Sequence, residues 1–376
     1  MIASDGSPEG RGAAGRVERA VPGADAYVGR RNAPPQGRQL GRPAGKGGER
    51  IAIVAATDTA LKLRERLEAD ASGATEVVGI YDDRLGRRTE AAEQLPIEGS
   101  VADLLAYTRE HDIDHVILAL PTSARQRVDY YLDKLRALPV QVTIVQDAEE
   151  FGIEDGKIRS MAGERLVVLM DRPISRLGIA IKRAMDIAIA SAGLLVAAPF
   201  LLLAALAISL EGGGGVLFRQ SRIGFNNRPF TVLKLRTMAA DAVGQDGSAQ
   251  AVRGDPRVTR VGAILRRTSI DELPQLLNVL DGSMSLVGPR PQAVNMRIGD
   301  RRYSEAVAEY VLRHKVRPGL TGWAQINGTR AGIYTLEQAA HAVELDLYYV
   351  QNWSLWLDIR ILFRTFGMVV TGRDAF

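Results

Sequence analysis

Hydrophobic positions change their rhythm several times along the chain. Residues 1–49 carry 11 glycines and 5 prolines and almost no large apolar side chains. That composition cannot bury a core and predicts disorder. From 50 to 150, short runs rich in branched apolar residues alternate with helical ones. Segments 51–55, 76–81, 115–120 and 140–145 read as strands, and 59–69, 101–111 and 124–138 as helices. The alternation predicts a small parallel sheet covered by helices, a Rossmann-like α/β accessory domain. Residues 151–181 read as a connector. The last domain, 182–376, is α-rich: 230–235 alternates as a strand, while 273–280, 306–314 and the apolar run 359–370 read as helices.

Within that domain, residues 187–210 form 24 positions without a charge, with only Ser191 and Ser209 as polar interruptions. The length suits a bilayer, and a soluble core helix normally carries a polar stripe. Lys182 and Arg183 flank one end, and Arg219 and Arg222 follow the other, so both ends read as cytoplasmic. Pro199 removes a backbone donor in mid-segment and invites a kink. The expectation is a re-entrant segment that dips into the membrane and returns. Tyr348, Tyr349, Trp353 and Trp356 precede the final apolar run. They suit the headgroup level of a membrane and equally suit an aromatic-packed core helix.

Composition narrows the chemistry. Cysteine is absent, which excludes disulfides, Cys-ligated zinc and a Cys nucleophile. The four histidines form no metal-ligand pair. The net charge of +4 is accounted for by residues 1–50, with nine Lys+Arg against five Asp+Glu. Residues 212–270 hold ten basic and three acidic residues, a stretch suited to a nucleotide or an anionic lipid. No zinc-finger, basic-zipper or RNA-binding signature accompanies it, so nucleic acid is not expected as a partner. The first strand-to-helix turn, residues 55–60, contains no glycine, so the dinucleotide fingerprint is missing.

The chemistry concentrates at Asp271 and Glu272. Adjacent helical side chains diverge by about 100°, so these two would divide labour rather than share a proton. One carboxylate attacks phosphorus or holds a metal, and the other positions or transfers a proton. A structural role competes: Ser269-x-x-Glu272 has the form of a capping box. The surrounding cations favour chemistry. Lys234 and Arg236 alternate on one predicted strand, Arg253, Arg257 and Arg260 surround Asp255-Pro256, and Arg266 and Arg267 precede the pair. Arg290 is fixed between two prolines. Guanidinium forks suit phosphate oxygens. Transfer from a nucleoside diphosphate calls for Mg²⁺, with Asp271 and Glu272 as the expected ligands and Asp255 as a weaker one.

The ordered motifs resemble the bacterial polyprenyl-phosphate glycosyl-1-phosphate transferases. They are Lys182-Arg183-Ala184-Met185-Asp186, Phe218-Arg219-Gln220-Ser221-Arg222-Ile223-Gly224, Lys234-Leu235-Arg236-Thr237-Met238, Asp255-Pro256-Arg257-Val258-Thr259, residues 265–279, 283–291, and Arg317-Pro318-Gly319-Leu320-Thr321-Gly322-Trp323. The resemblance covers about half the chain. It implies a monotopic membrane enzyme with a re-entrant helix that transfers a sugar 1-phosphate from a UDP-sugar to undecaprenyl phosphate, releasing UMP with Mg²⁺. It implies Asp271 as nucleophile, Glu272 as its partner, and Lys234, Arg236, Arg257, Arg266, Arg267, Arg290 and Arg317 as the phosphate cradle. The larger members of this family start exopolysaccharide or capsule synthesis, most often with UDP-glucose. The expected setting is the cytoplasmic face of the bacterial inner membrane, with lipid and a second copy of the chain as further partners. Those members begin with several transmembrane helices, which residues 1–49 lack. Their re-entrant segment ends in a Ser-Pro-Gly-Pro type of turn, where this chain has four glycines at 212–215. UDP-galactose or a UDP-N-acetylhexosamine would use the same chemistry. A non-catalytic nucleotide-binding scaffold is the alternative of a different class.

Overall fold

The computed structural model describes residues 48–70, 74–84, 95–121, 124–145, 157–212, 214–239, 254–329 and 332–371. Residues 1–47 and Arg253, both subjects of the sequence reading, lie outside them.

Strand β1 (Glu49–Val54) pairs in parallel with β2 (Thr75–Tyr81) and with β4 (His115–Leu118), while β3 (Ile97–Gly99) and β5 (Gln141–Val145) extend the two sides. Side chains on β1 alternate between two cores, as period-2 geometry requires. Ala52 and Val54 pack with Leu104 of α2 (Val101–Glu110) and Val128 of α3 (Arg125–Leu135). Ile51 and Ile53 pack on the other face with Leu63 and Leu67 of α1 (Asp58–Ala69). The predicted strands and helices of residues 50–150 are present, and the three-residue β3 is an addition.

The segment expected as a connector holds two further strands. β6 (Ile158–Met161) and β7 (Glu164–Met170) form a hairpin that joins β5 antiparallel, giving the order β3-β2-β1-β4-β5-β7-β6. The hairpin turns on Ala162 and Gly163, both at positive φ (48° and 78°). Asn-Gly or Asp-Gly usually signals such a turn. Ala-Gly hides it.

The turn after β1 departs from a dinucleotide site in its wiring as well as its sequence. Ala55 sits at φ 78°, where glycine is normally needed. The Ala56 amide donates to Asp82 Oδ2 (2.8 Å), and Arg84 pairs with that carboxylate. The first amide that would meet a phosphate here already has an anion.

Past the sheet, Ser175 caps a 36-residue helix, α4 (Arg176–Glu211). It begins well before the charge-free run and continues through Pro199 unbroken, so the expected interruption there is absent. One stripe is buried: Lys182, Asp186, Ala190, Ala197, Ala204 and Ile208. Ala190 joins a core with Leu276, Val279 and Val287, and Ala204 and Ile208 join another with Leu235 and Leu265. From Ala190 to Ile208 the helix therefore rests on the same domain. The opposite side is bare, with Leu195, Leu202 and Leu210 at 78, 72 and 79% exposure.

The hairpin β8 (Leu217–Ile223) and β9 (Pro229–Leu235) follows, in full antiparallel register. Then come α5 (Arg260–Thr268), a 3-10 turn at Ile270–Glu272, α6 (Gln275–Asp281) and β10 (Ser285–Val287). The short pair β11 (Arg297–Ile298) and β12 (Arg301–Arg302) leads to α7 (Tyr303–Ala306). Residues 306–314 were expected to be helical. Glu309 at φ 64° breaks the run, and a 3-10 helix, Tyr310–Lys315, takes its place. β13 (Gly319–Thr321) pairs parallel with β10, and α8 (Leu336–Gln351) and α9 (Leu355–Thr371) end the described chain. The two domains meet through Asn226 Nδ2, which donates to Thr108 O (2.6 Å), and through Arg172 and Arg176, which pair with Asp114 at 2.9 Å.

Candidate active site

Three elements bring the acidic pair and its cations together. α5 is capped by Thr259 and packs on the chain leaving β9; a Cβ at Gly262 would lie 2.1 Å from Thr237 O, so only glycine permits the approach. The helix ends where Ser269 turns left-handed (φ 57°). Glu272 N then bonds Ser269 O in the 3-10 turn, and Ser269 makes no side-chain cap hydrogen bond. The capping-box role is thereby overturned, and the Glu272 side chain points elsewhere.

It points to two cations. Glu272 Oε1 accepts from Lys234 Nζ (2.8 Å), delivered by β9, and from Arg290 Nη2 (2.9 Å). Burial alone would raise the Glu272 pKa, but Arg290 and Lys234 together hold it well below the ordinary carboxylate range. Asp271 is buried and, among the described residues, takes no side-chain hydrogen bond. Burial pushes its pKa up to about 6, with Glu272 adding to the rise and Lys234, Arg266 and Arg290 opposing it. Adjacent carboxylates thus have opposite environments: one is clamped and ionised, the other is uncommitted beside three positive charges.

Arg290 is held from behind. Gly288 packs against the turn before β13, where a Cβ would meet Arg317 O at 2.3 Å. Arg313, almost fully buried, donates to Arg290 O (2.7 Å) and pairs with Asp346 at 2.6 Å. Arg222 donates to Pro291 O (2.9 Å); burial, with repulsion from Arg290, lowers its pKa to about 10. The supporting roles of Arg313 and Asp346 were missed. Nothing local to Arg313-His314-Lys315 signals its burial.

Not every predicted cation joins this group. Arg266 does so through its field on Asp271, with Nε anchored on Thr237 Oγ1 (2.9 Å). Arg267 is exposed on α5. Arg236 lies past the end of β9 and caps the C-terminus of α4, donating to Ile208 O (3.2 Å) and Gly212 O. Arg257 is paired with Asp255 at 2.6 Å, which also engages the weaker metal candidate and lowers Asp255 to about 2. Arg317 feels Arg183, Asp186 and Asp112 and faces the junction between the domains.

The architecture defines a class: a Rossmann-like domain followed by a domain that carries one long apolar helix and an Asp-Glu pair in a cationic cradle. Residues 177–372 match the bacterial sugar transferase family, and the chain belongs to it. Residues 37–145 match the CoA-binding domain family. The chain is 42% identical over 328 residues to the undecaprenyl-phosphate glucose phosphotransferase of Komagataeibacter xylinus, a match covering 87% of this chain and 60% of that protein. It is 51% identical over 205 residues to the UDP-glucose:undecaprenyl-phosphate glucose-1-phosphate transferase of Caulobacter vibrioides, covering 54% of this chain and 75% of that one. It is also 41% identical over 220 residues to a UDP-N-acetylgalactosamine-undecaprenyl-phosphate N-acetylgalactosaminephosphotransferase of Aeromonas hydrophila, covering 58% and 50%. The chain spans 60% of the length of the first of these relatives.

Proposed function

We propose that this protein transfers glucose 1-phosphate from UDP-glucose to undecaprenyl phosphate, releasing UMP, as the first step in building an exopolysaccharide repeat unit. The observation that carries this reading is the buried, uncommitted Asp271 beside a Glu272 clamped by Lys234 and Arg290. An Asp271 carboxylate oxygen attacks the β-phosphorus of the donor. The bond from that phosphorus to the bridging oxygen breaks, and UMP leaves with the electron pair. The sugar phosphate is then held as an acyl phosphate on Asp271. An oxygen of undecaprenyl phosphate attacks the same phosphorus and frees the carboxylate. Lys234, Arg266 and Arg290 offset the charge that gathers on the phosphoryl oxygens, in a site where burial strengthens each interaction. Glu272 acts by holding two of these cations in place.

The donor set fits Mg²⁺. Among the described residues no third His or carboxylate joins the pair, and Mg²⁺ commonly takes only one or two carboxylates while keeping several waters. Asp271 and the second oxygen of Glu272 would hold it. When bound, the ion would supply charge neutralisation for the departing UMP.

Two apolar surfaces support work at a membrane, for which we propose the cytoplasmic face of the inner membrane. One is the bare side of α4, and the other is on α9, where Trp356, Phe363 and Phe366 are 72, 75 and 71% exposed. Because α4 packs on one domain from Ala190 to Ile208, we infer that the helix enters from one side and does not cross. The deciding experiment measures UMP release by purified protein from a panel of UDP-sugars, with undecaprenyl phosphate and Mg²⁺. Release from UDP-glucose that Asp271→Asn abolishes is the expected result, and unchanged release in that variant would falsify the nucleophile. The Aeromonas relative makes UDP-N-acetylgalactosamine the first competitor to include.

A further inference from the structure

We propose that the junction between the two domains is a second anion site, which binds a small phosphate-bearing metabolite on Arg317 and Lys315. A cavity of about 220 Å³ opens there, between the sheet domain, α4 and the turn before β13. Its charged lining can be paired off almost completely. Asp114 is taken by Arg172 and Arg176, and Asp112 by Arg228 at 3.3 Å. Asp186 accepts from Ser285 Oγ (2.7 Å) and Leu286 N (3.1 Å). Lys182 is bound to Asp358 at 2.6 Å, and Arg183 is spent on the carbonyls of Val279 and Leu280 at the end of α6.

Two cations remain. Arg317 is half-buried and, among the described residues, makes no side-chain hydrogen bond or ion pair; the carboxylates in its field, Asp186 and Asp112, are both engaged elsewhere. Lys315 Nζ rests on Met170 Sδ at 3.6 Å, with no carboxylate partner among the described residues. Burial lowers the pKa of both, with Arg183 adding to the effect on Arg317 and Arg136 bringing Lys315 to about 8. An arriving anion relieves both costs. A phosphate monoester dianion matches both charges, and its oxygens fit the guanidinium fork. The cavity falls short of the roughly 300 Å³ at which drug-sized ligand sites begin, which favours a compact phosphate over a nucleotide sugar. The site also has a route to the active centre: Gly319 N, two residues from Arg317, donates to Pro289 O (3.0 Å), next to Arg290.

The test is calorimetric titration of the full chain in detergent with inorganic phosphate, glucose 1-phosphate and UMP. It is run in an Arg290→Gln background to weaken binding at the catalytic cradle, where Lys234 and Arg266 remain, so the Lys315 and Arg317 variants report on the junction. At least one of the three ligands is expected to bind, and adding Lys315→Met or Arg317→Gln should weaken it tenfold or more. The ligand that binds tightest identifies the source of the phosphate. Absence of binding by all three in the Arg290→Gln protein overturns the proposal, and so does an affinity that Lys315→Met leaves unchanged. If Arg317→Gln disturbs folding, Lys315→Met decides alone. No readout uses turnover, so the outcome is independent of the transfer reaction.

Discussion

Replacing Lys234 by methionine removes the largest influence opposing the raised Asp271 pKa while keeping most of the side-chain volume. Asp271 must be ionised to attack, and in the metal-free site, with a pKa of about 6, it is ionised by about ten to one at pH 7. Taking a separation of about 5 Å and an effective dielectric near 20, a positive charge is worth about 3 kcal/mol, or about two pKa units. Glu272 stays held by Arg290, so the local fold should persist. The acid limb of the rate profile is therefore expected to move up by about one to two units. At pH 7 the ionised fraction falls to between about a half and a tenth, and raising the pH to about 9 restores that part of the loss. The plateau itself drops, because one phosphate-neutralising charge is gone. The assay is the burst of UMP released from UDP-glucose without acceptor, at fixed Mg²⁺, across pH 5–9. That half-reaction contains no titrating acceptor phosphate. A limb that stays in place, or moves to lower pH, would refute Asp271 as the titrating nucleophile.

Asp271→Asn should abolish the burst yet stabilise the fold. The pKa raised from 3.8 to about 6 means that ionisation costs the folded state about 3 kcal/mol above pH 6, a cost that disappears below pH 4. Thermal melts of parent and variant should thus diverge at pH 8 and converge near pH 4. Arg313→Met strands the buried carboxylate of Asp346 and frees Arg290 O, so a loss of about 3–5 kcal/mol should appear as a lowered melting temperature together with a lost burst. Phe363→Ser with Phe366→Ser leaves the site untouched. Losing two exposed aromatic rings at about 1.5 kcal/mol each should weaken partition into anionic vesicles about 100-fold, measured by flotation.

What could be read in advance depended on the reach of each signal. The parallel sheet was legible because each strand carries its own alternation: Ile51 and Ile53 face one core, Ala52 and Val54 the other. The β6–β7 hairpin was not, because its turn is Ala162-Gly163 and β6, the edge strand, has one exposed side. The Asp271-Glu272 pair was legible as a site only through its cations, and here local spacing misled as well as helped. Arg236 follows Lys234 by two residues, which on an ideal strand puts both on one face. The strand ends at Leu235, however, and the guanidinium turns to the carbonyls at the end of α4. Glu272 three residues after Ser269 fits a capping box, yet its oxygen is claimed by a lysine 38 positions earlier and an arginine 18 later. A cap competes for a carboxylate with about one hydrogen bond's worth of stability, whereas two half-buried cations offer charge-assisted bonds roughly twice as strong each. The long-range partners win that competition. Their victory separates the two acids: with Glu272 committed to Lys234 and Arg290, Asp271 is left as the carboxylate that can approach a phosphorus atom.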